Sequence, residues 1–371
     1  MVDISRSSLL SWTVITPLLA MVTLALTWER DLGTGLVIVV AVILAGAVLA
    51  AVHHAEVVAH RVGEPFGSLV LAVAVTVIEV ALIVTIMISG GPETASLARD
   101  TVFAAVMITT NGIVGLSLLL GALRYGVTLF NPEGSGAALA TVATLATVCL
   151  VLPTFTTSQP GPEFSPGQLT FAAIASLALY GMFVFTQTVR HRDFFLPITS
   201  AGVTVDKVTA EVEVHASPPT GWAAVRSLGL LVVALVAVVG LAKVESPAIE
   251  AGVEAAGFPP SFVGVVIALL VLLPETLAAV RAAHRERIQI SLNLGYGSAM
   301  ASIGLTIPVI ALATLWLEGP LLLGLGPVQM VLLALTIVVS VLTVVPGRAT
   351  RLQGGVHLVL LAAFLFLAVN P

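Results

Sequence analysis

The chain has 371 residues, of which 58% are hydrophobic and only 9% are charged, and its formal net charge is −5. A soluble domain carries about 25% charged residues, so the composition excludes a soluble enzyme, a disordered protein and a nucleic-acid-binding protein. The mean hydropathy of +1.10 indicates an all-α polytopic membrane protein. Its expected partner is the lipid bilayer, and neither nucleic acid nor a soluble partner is evident.

Apolar runs long enough for a membrane helix, about 20 residues, occur eleven times along the chain. The first follows a short polar start and lacks a clear small-residue cleavage site, which indicates a retained helix rather than a signal peptide. The runs lie at 9–28, 34–53, 66–90, 101–123, 137–157, 168–189, 223–243, 260–281, 288–316, 320–345 and 353–370.

The basic residues are distributed unevenly between the loops. With the N-terminus in the cytoplasm, twelve of the 15 Lys and Arg residues fall on the cytoplasmic side, and only Arg30, Arg99 and Lys243 fall on the other. Cytoplasmic loops carry the excess of basic residues in membrane proteins. We therefore expect a multi-pass protein of the cytoplasmic (inner) membrane with its N-terminus inside and its C-terminus outside.

Four titratable residues lie at helical spacing from the last residue of the second run onward: His53, Glu56, His60 and Glu64. We expect them at the cytoplasmic mouth of the third helix. One interpretation is pH sensing or cation gathering, since histidine titrates near neutral pH. The alternative is an ordinary solvated helix end.

The third and fourth runs contain polar residues at membrane depth. Glu79 lies in the middle of the third run, and Thr76 shares its helical face. Asn111 lies in the fourth run among small and hydroxyl-bearing residues, Thr109 to Gly115. The pattern predicts oxygen ligands on both helices, with close helix packing as the alternative use of the small residues.

The eighth and ninth runs repeat this arrangement. Glu275 lies within the eighth run, and Pro274 before it removes a backbone donor, which can free carbonyl oxygens. On the ninth run Ser298 and Ser302 belong to a narrow stripe of small and hydroxyl-bearing residues. A hydrophilic path and tight helix packing are both possible uses of that stripe.

Of the 20 acidic residues, only Glu79 and Glu275 fall in the middle of apolar runs. A charged carboxylate at a helix centre costs roughly 2.5–3.5 kcal/mol, and no basic residue lies at similar depth in these runs. A purely structural role is therefore a poor explanation. The two carboxylates are predicted to bind protons, cations or both.

The spacing of the two acids predicts the domain organisation. Helices three and eight are five spans apart, so they cross in opposite directions, as in inverted-repeat transporters with a midplane site. We expect an extra N-terminal helix at 1–33, a five-helix repeat at 34–189, a cytoplasmic connecting loop at 190–222 and a second repeat at 223–371. Alternating residues in the loop could form a short hairpin, but the composition favours a solvated connector between the two halves.

The chemistry of these side chains suits a hard cation. Ca²⁺ prefers six to eight oxygen ligands, and two carboxylates balance one divalent ion or two protons. The candidate metal ligands are Glu79, Glu275, Thr76, Asn111, Ser298 and Ser302. Neither catalytic residues nor a cofactor are expected.

These motifs resemble the bacterial Ca²⁺/H⁺ antiporter family of the ChaA type, within the Ca²⁺/cation antiporter superfamily. The resemblance covers nearly the whole chain. It is most specific at the segments His54 to Val80, Ala98 to Gly115 and Leu273 to Pro308.

The resemblance implies a ten-helix inverted repeat with an extra first helix. It also implies that Glu79 and Glu275 alternately hold cation and proton, and that Ca²⁺, with Na⁺ or K⁺ in some members, is exchanged for H⁺. A Na⁺(K⁺)/H⁺ antiporter of the same fold is the nearest alternative. A cation channel and an intramembrane enzyme are more distant ones, since no filter loop and no zinc-protease motif is present.

Overall fold

The structure is a computed structural model that describes residues 11–30, 32–62, 66–90, 94–198, 219–316 and 319–371, with side chains omitted at 66–73 and 89–90. Its α-helices confirm the predicted all-α membrane fold. They are α1 Trp12–Thr27, α2 Thr34–Val62, α3 Phe66–Gly90, α4 Leu97–Met107, α5 Val114–Tyr125, α6 Pro132–Ala146, α7 Pro166–Phe185, α8 Gly221–Ala255, α9 Phe262–Val271, α10 Leu273–His284, α11 Ile288–Ala313, α12 Pro327–Val344 and α13 Arg351–Val369.

Short irregular helices join or extend several of these elements. π-Helical segments follow α4, α6 and α7, at Ile108–Ile113, Thr147–Val151 and Thr186–Arg190. The first of them makes α4 and α5 one continuous stretch. Two 3₁₀ turns lie at Leu152–Thr154 and Arg192–Phe195.

Helix is present at each of the eleven predicted runs. In the described part of the chain, eight helical stretches are long and apolar enough to cross a membrane, and the bent pair α9–α10 makes a ninth if it is one span. Two further apolar stretches, Trp12–Thr27 and Ala74–Ile88, are shorter. The number of eleven spans therefore stays a prediction.

Several helix boundaries differ from the apolar runs. α2 continues nine residues beyond 53, and α8 continues twelve beyond 243, because hydropathy marks membrane depth and not helix length. The predicted start of the tenth run at 320 is wrong, since α12 begins at Pro327. The segment before α12 instead forms backbone hydrogen bonds with distant parts of the same chain. Leu322 N donates to Ala95 O at 3.1 Å, and Leu325 N donates to Leu150 O at 2.8 Å.

The helices form two compact units. One contains α1, α2, α3 and α8, and the other contains the remaining helices. Both predicted repeats contribute helices to both units, so the units do not coincide with the repeats. The repeat organisation itself stays a prediction.

In the smaller unit, α8 packs against α1, α2 and α3. A Cβ atom on Gly240 would meet the side chain of Leu24, so α8 and α1 are in contact at this glycine. The buried His54 of α2 lies with Nε2 2.8 Å from Thr13 O and Nδ1 3.3 Å from Ser227 Oγ. One imidazole thus joins α1, α2 and α8.

In the larger unit, two glycines set the crossing of α5 and α13. A Cβ atom on Gly354 would lie 2.5 Å from Leu119 N, and one on Gly115 would lie 2.8 Å from His357 Cβ. The close packing considered for Gly115 from the sequence is therefore confirmed. Gly304 of α11 packs in the same way, because a Cβ there would lie 2.7 Å from Tyr180 Cβ.

The described strands form one short antiparallel pair in the larger unit. β1 (Thr128–Leu129) follows α5, and β2 (Arg348–Ala349) precedes α13. Thr128 is opposite Ala349. The hairpin predicted within 190–222 falls on residues 199–218, which lie outside the described residues.

The α5–α13 crossing gives a first test. Gly354→Ala should destabilise the protein by about 1–3 kcal/mol, since the added methyl group meets backbone that cannot move aside cheaply. Gly355→Ala is the matched control, because a Cβ atom there meets nothing within 4 Å. The measurement is the thermal midpoint of the purified protein in detergent, and equal midpoints for the two variants would contradict the proposed crossing.

Candidate cation-binding site

Glu275 lies where the chain breaks its helix. α9 ends at Val271 and α10 begins at Leu273, with a bend of 53° between them. Pro274 cannot donate to the carbonyl of Leu270, which explains why the helix is interrupted here. Glu275 is half-buried in the first turn of α10, where the helix dipole favours a negative charge.

Asn111 lies in the π-helical segment between α4 and α5. Thr109 in the same segment donates its hydroxyl to Ala105 O at 2.7 Å, a back-bond that competes with the regular helical ladder. Such π segments are frequent at functional sites. The segment also packs on α11, since a Cβ atom on Gly295 would lie 3.3 Å from Thr109 O.

A chain of buried hydrogen bonds fixes the Asn111 amide. Its Nδ2 donates to Thr336 Oγ1 at 3.0 Å, and its Oδ1 lies 3.0 Å from His357 Nδ1. His357 Nε2 lies 3.2 Å from Thr343 Oγ1. This pattern assigns the imidazole proton to Nδ1, with Thr343 donating to Nε2. One lone pair of the Asn111 oxygen is therefore used within the protein, and one stays available for a ligand.

The small-residue stripe on α11 divides into two parts. Ser291 donates to Ala279 O at 2.7 Å and Gly295 packs on the π segment, so these two positions serve helix packing. Ser298 is half-buried and Ser302 is 2% exposed. Only these later positions keep the role of candidate ligands.

Glu79 and Thr76 lie on α3, in the smaller unit. They are 4% and 5% exposed, and their spacing of three residues places them on one face. Unlike α9–α10, α3 is a continuous helix through its glutamate. The two acid-bearing segments thus share a residue pattern but differ in backbone.

The candidate ligands form two groups. Asn111, Glu275, Ser298 and Ser302 are on elements of the larger unit that pack on one another, and Thr76 and Glu79 are on α3. Within the described ranges, no cluster of three or more His, Cys, Asp or Glu side chains could hold a metal ion.

Three members of the histidine cluster lie on the second helix. His53, Glu56 and His60 are in the last turns of α2, which extends to Val62, and their place at the mouth of the third helix stays a prediction. His53 is half-buried, whereas Glu56 and His60 are exposed. Glu64 lies outside the described residues.

Sequence reasoning missed three polar side chains of the interior. His54 and His357 are 3% and 0% exposed, and Glu245 is 2% exposed. His357 lies in the last apolar run and Glu245 just beyond the seventh, so a search for acids within apolar runs finds neither. Only the length of α8 shows that Glu245 belongs to a helix interior.

Comparison with known proteins gives consistent results. The family described as "Sodium/calcium exchanger protein" matches residues 32–189 and 226–370. The putative ionic transporter y4hA of Sinorhizobium fredii (strain NBRC 101917 / NGR234) is 45% identical over 363 residues, covering 97% of this chain and 96% of that protein. The sodium-potassium/proton antiporter ChaA of Escherichia coli (strain K12) is 33% identical over 357 residues, covering 95% and 94%.

A solved structure matches the fold. The crystal structure of the H⁺/Ca²⁺ exchanger CAX superposes with a TM-score of 0.69 at 17% identity, covering 95% of this chain and 86% of that chain. At this identity the likeness supports the architecture alone.

The Asn111 network gives a second test. His357→Leu removes the donor to Asn111 Oδ1, and we expect the half-saturating cation concentration to rise about fivefold, since a buried hydrogen bond contributes roughly 1 kcal/mol. His357→Gln should recover part of this loss, because an amide can also donate. Thr343→Ser is the control, as it keeps the hydroxyl that donates to Nε2. A lower melting temperature with unchanged half-saturation would mean that the network only supports the fold.

Proposed function

The chain belongs to the sodium/calcium exchanger protein family, and we propose that it exchanges Ca²⁺ for H⁺, with Na⁺ or K⁺ as secondary substrates. Family membership makes it a multi-pass membrane cation exchanger and not an enzyme. The resemblance to the ChaA type drawn from the sequence is confirmed by the matching family and by the 33% identity to ChaA.

The observation that carries the proposal is the placement of Glu79. Its side chain is 4% exposed in the middle of an apolar helix, where a carboxylate is expensive unless a cation or proton neutralises it. Glu275 is the second such acid, in the first turn after a helix break. Two carboxylates match the charge of one Ca²⁺ or of two protons.

Exchange follows if the two kinds of cation compete for the same oxygens. When Ca²⁺ binds, both carboxylates are ionised, and the remaining ligands come from Thr76, Asn111, Ser298, Ser302 and the carbonyl that Pro274 leaves without its donor. When protons bind, both carboxyl groups are neutral. One Ca²⁺ for two H⁺ is then electroneutral, and neither state leaves an uncompensated charge in the membrane.

The membrane arrangement is part of the proposal. We place the N-terminus in the cytoplasm and the C-terminus outside, in the inner membrane, with 34–189 and 223–371 as inverted repeats. The twelve-to-three distribution of basic residues supports this orientation. The inverted arrangement would let the two glutamate helices reach the midplane from opposite sides.

A monovalent exchanger is the second candidate. ChaA, a sodium-potassium/proton antiporter, is 33% identical to this chain over nearly its whole length. One carboxyl group could stay protonated beside a bound Na⁺ or K⁺, which preserves the charge balance. We favour Ca²⁺ as the main substrate because two ionised carboxylates balance the charge of a divalent ion.

The experiment uses everted membrane vesicles that hold a pH gradient, with the membrane potential clamped. Addition of Ca²⁺ should dissipate the gradient, and Mg²⁺ should do so poorly, because it dehydrates reluctantly and demands rigid octahedral geometry. A rate independent of the clamped potential is expected for one Ca²⁺ against two protons. Dissipation by Na⁺ or K⁺ without any response to Ca²⁺ would establish the second candidate instead.

The two carboxylates are tested separately. Glu79→Gln and Glu275→Gln keep the side-chain shape but remove the charge, and each should reduce cation-driven proton movement to the level of vesicles without the protein. Glu133→Gln is the matched control, since Glu133 is exposed at the start of α6. Clear cation-driven proton movement in either site variant, at normal membrane expression, would disprove the two-carboxylate mechanism.

A further inference from the structure

Glu245 is a buried carboxylate that the exchange mechanism does not use. It lies in α8, in the smaller unit, and is 2% exposed. It shares one face of α8 with Ser227, which lies five turns earlier, and this face contains the buried Leu231, Val238 and Leu241. The carboxylate therefore ends an otherwise apolar packing face.

No protein group compensates this carboxylate among the residues that the structure describes. Its buried Oε1 has no hydrogen-bond partner there. The neighbouring Ser246 donates its hydroxyl hydrogen to Glu250 Oε1 at 3.0 Å, so that hydrogen does not bond to Glu245. The nearby Lys243 points away, about 200° around the helix, with Nζ 4.8 Å from the centroid of the Trp28 ring.

The helices packed against α8 supply no positive charge opposite Glu245. α1 has no titratable residue, and the described part of α3 has only another acid, Glu79. On α2 the titratable residues begin at His53, next to the His54–Ser227 contact and about 27 Å along α8 from Glu245. They are His53, His54, Glu56, His60 and Arg61.

Asp100 in the larger unit shows what a compensated buried acid looks like in this protein. It is 4% exposed, and it accepts from Arg99 Nε and from Ser96 Oγ, both at 2.8 Å. Glu245 is equally buried but has no comparable donor. A buried carboxylate without donors needs a neutralising cation from outside the protein.

We propose that Glu245 is an additional binding site for a small exchangeable cation, a proton or a metal ion. The site is distinct from Glu79 and Glu275 in the sequence and in its helix. It does not depend on the proposed exchange reaction.

A hydrophobic carbodiimide tests the site directly, because it modifies carboxyl groups that carry a proton in apolar surroundings. The purified full-length chain with Glu79→Gln and Glu275→Gln is treated, and the modified peptides are located by mass spectrometry. We expect modification of Glu245 that declines as the pH rises. The exposed Glu254 and the hydrogen-bonded Glu250 serve as internal controls and should stay unmodified.

A second set of reactions at constant pH distinguishes a bound proton from a bound metal ion. Protection of Glu245 by added Ca²⁺, Na⁺ or K⁺ identifies a site that takes a metal ion as well as a proton, and lack of protection by any of them identifies a proton site. Modification that does not change with pH or with these ions would overturn the proposal. Because this chain cannot perform the proposed exchange, the result is independent of that function.

A second measurement needs no reagent to reach the site. Around neutral pH ordinary carboxyl groups are already ionised, so cation uptake there by the same chain with and without Glu245→Gln should differ by up to about one proton per molecule, or by the corresponding bound metal ion. Glu250→Gln in the same background is the matched control for losing one acid on α8, and it should leave this uptake unchanged. Identical cation uptake with and without Glu245→Gln would overturn the proposal even if the carbodiimide fails to react.

Discussion

The need to satisfy every backbone polar group within an apolar environment governs this structure. Helices meet it through their own hydrogen bonds, whereas irregular backbone needs partners from elsewhere. The segment before α12 bonds to Ala95, Pro162 and Leu150, and the π segment is accompanied by hydroxyl back-bonds from its threonines. The break before Glu275 is the place where a proline leaves a carbonyl without its helical donor. Two of these departures from regular helix, the π segment and the break at Pro274, thus carry the candidate ligands Asn111 and Glu275.

The two acid-bearing segments provide different surroundings for the same side chain. Glu79 lies in a continuous helix whose carbonyls are engaged in their own ladder, so its neighbours can offer mainly side-chain oxygens such as that of Thr76. Glu275 lies in the first turn of a new helix, where Pro274 supplies no backbone donor and the positive end of the helix dipole is beside it. The pseudo-symmetry of the motifs therefore does not extend to the backbone chemistry around the carboxylates.

Much of the architecture could be predicted from hydropathy because membrane burial is encoded directly in apolar runs. The same measure could not predict the start of α12 at Pro327, which depends on backbone partners distant in sequence. It also could not reveal how far α2 and α8 continue as helix. For the candidate site, charge at membrane depth singles out Glu79 and Glu275 from the sequence alone. The roles of His357 and Glu245 depend on which helix faces which, and a single sequence does not contain that pairing.

The division of the helices between the two units has a consequence for biosynthesis. α1, α2 and α3 are made first, but their packing partner α8 is encoded after the whole of α4 to α7. His54 is therefore translated 173 residues before its partner Ser227, and Leu24 is translated even longer before Gly240, against which it packs. Assembly of the smaller unit is therefore a late event. Its first three helices must remain in the bilayer as an incomplete bundle until the ribosome has translated more than half of the mRNA.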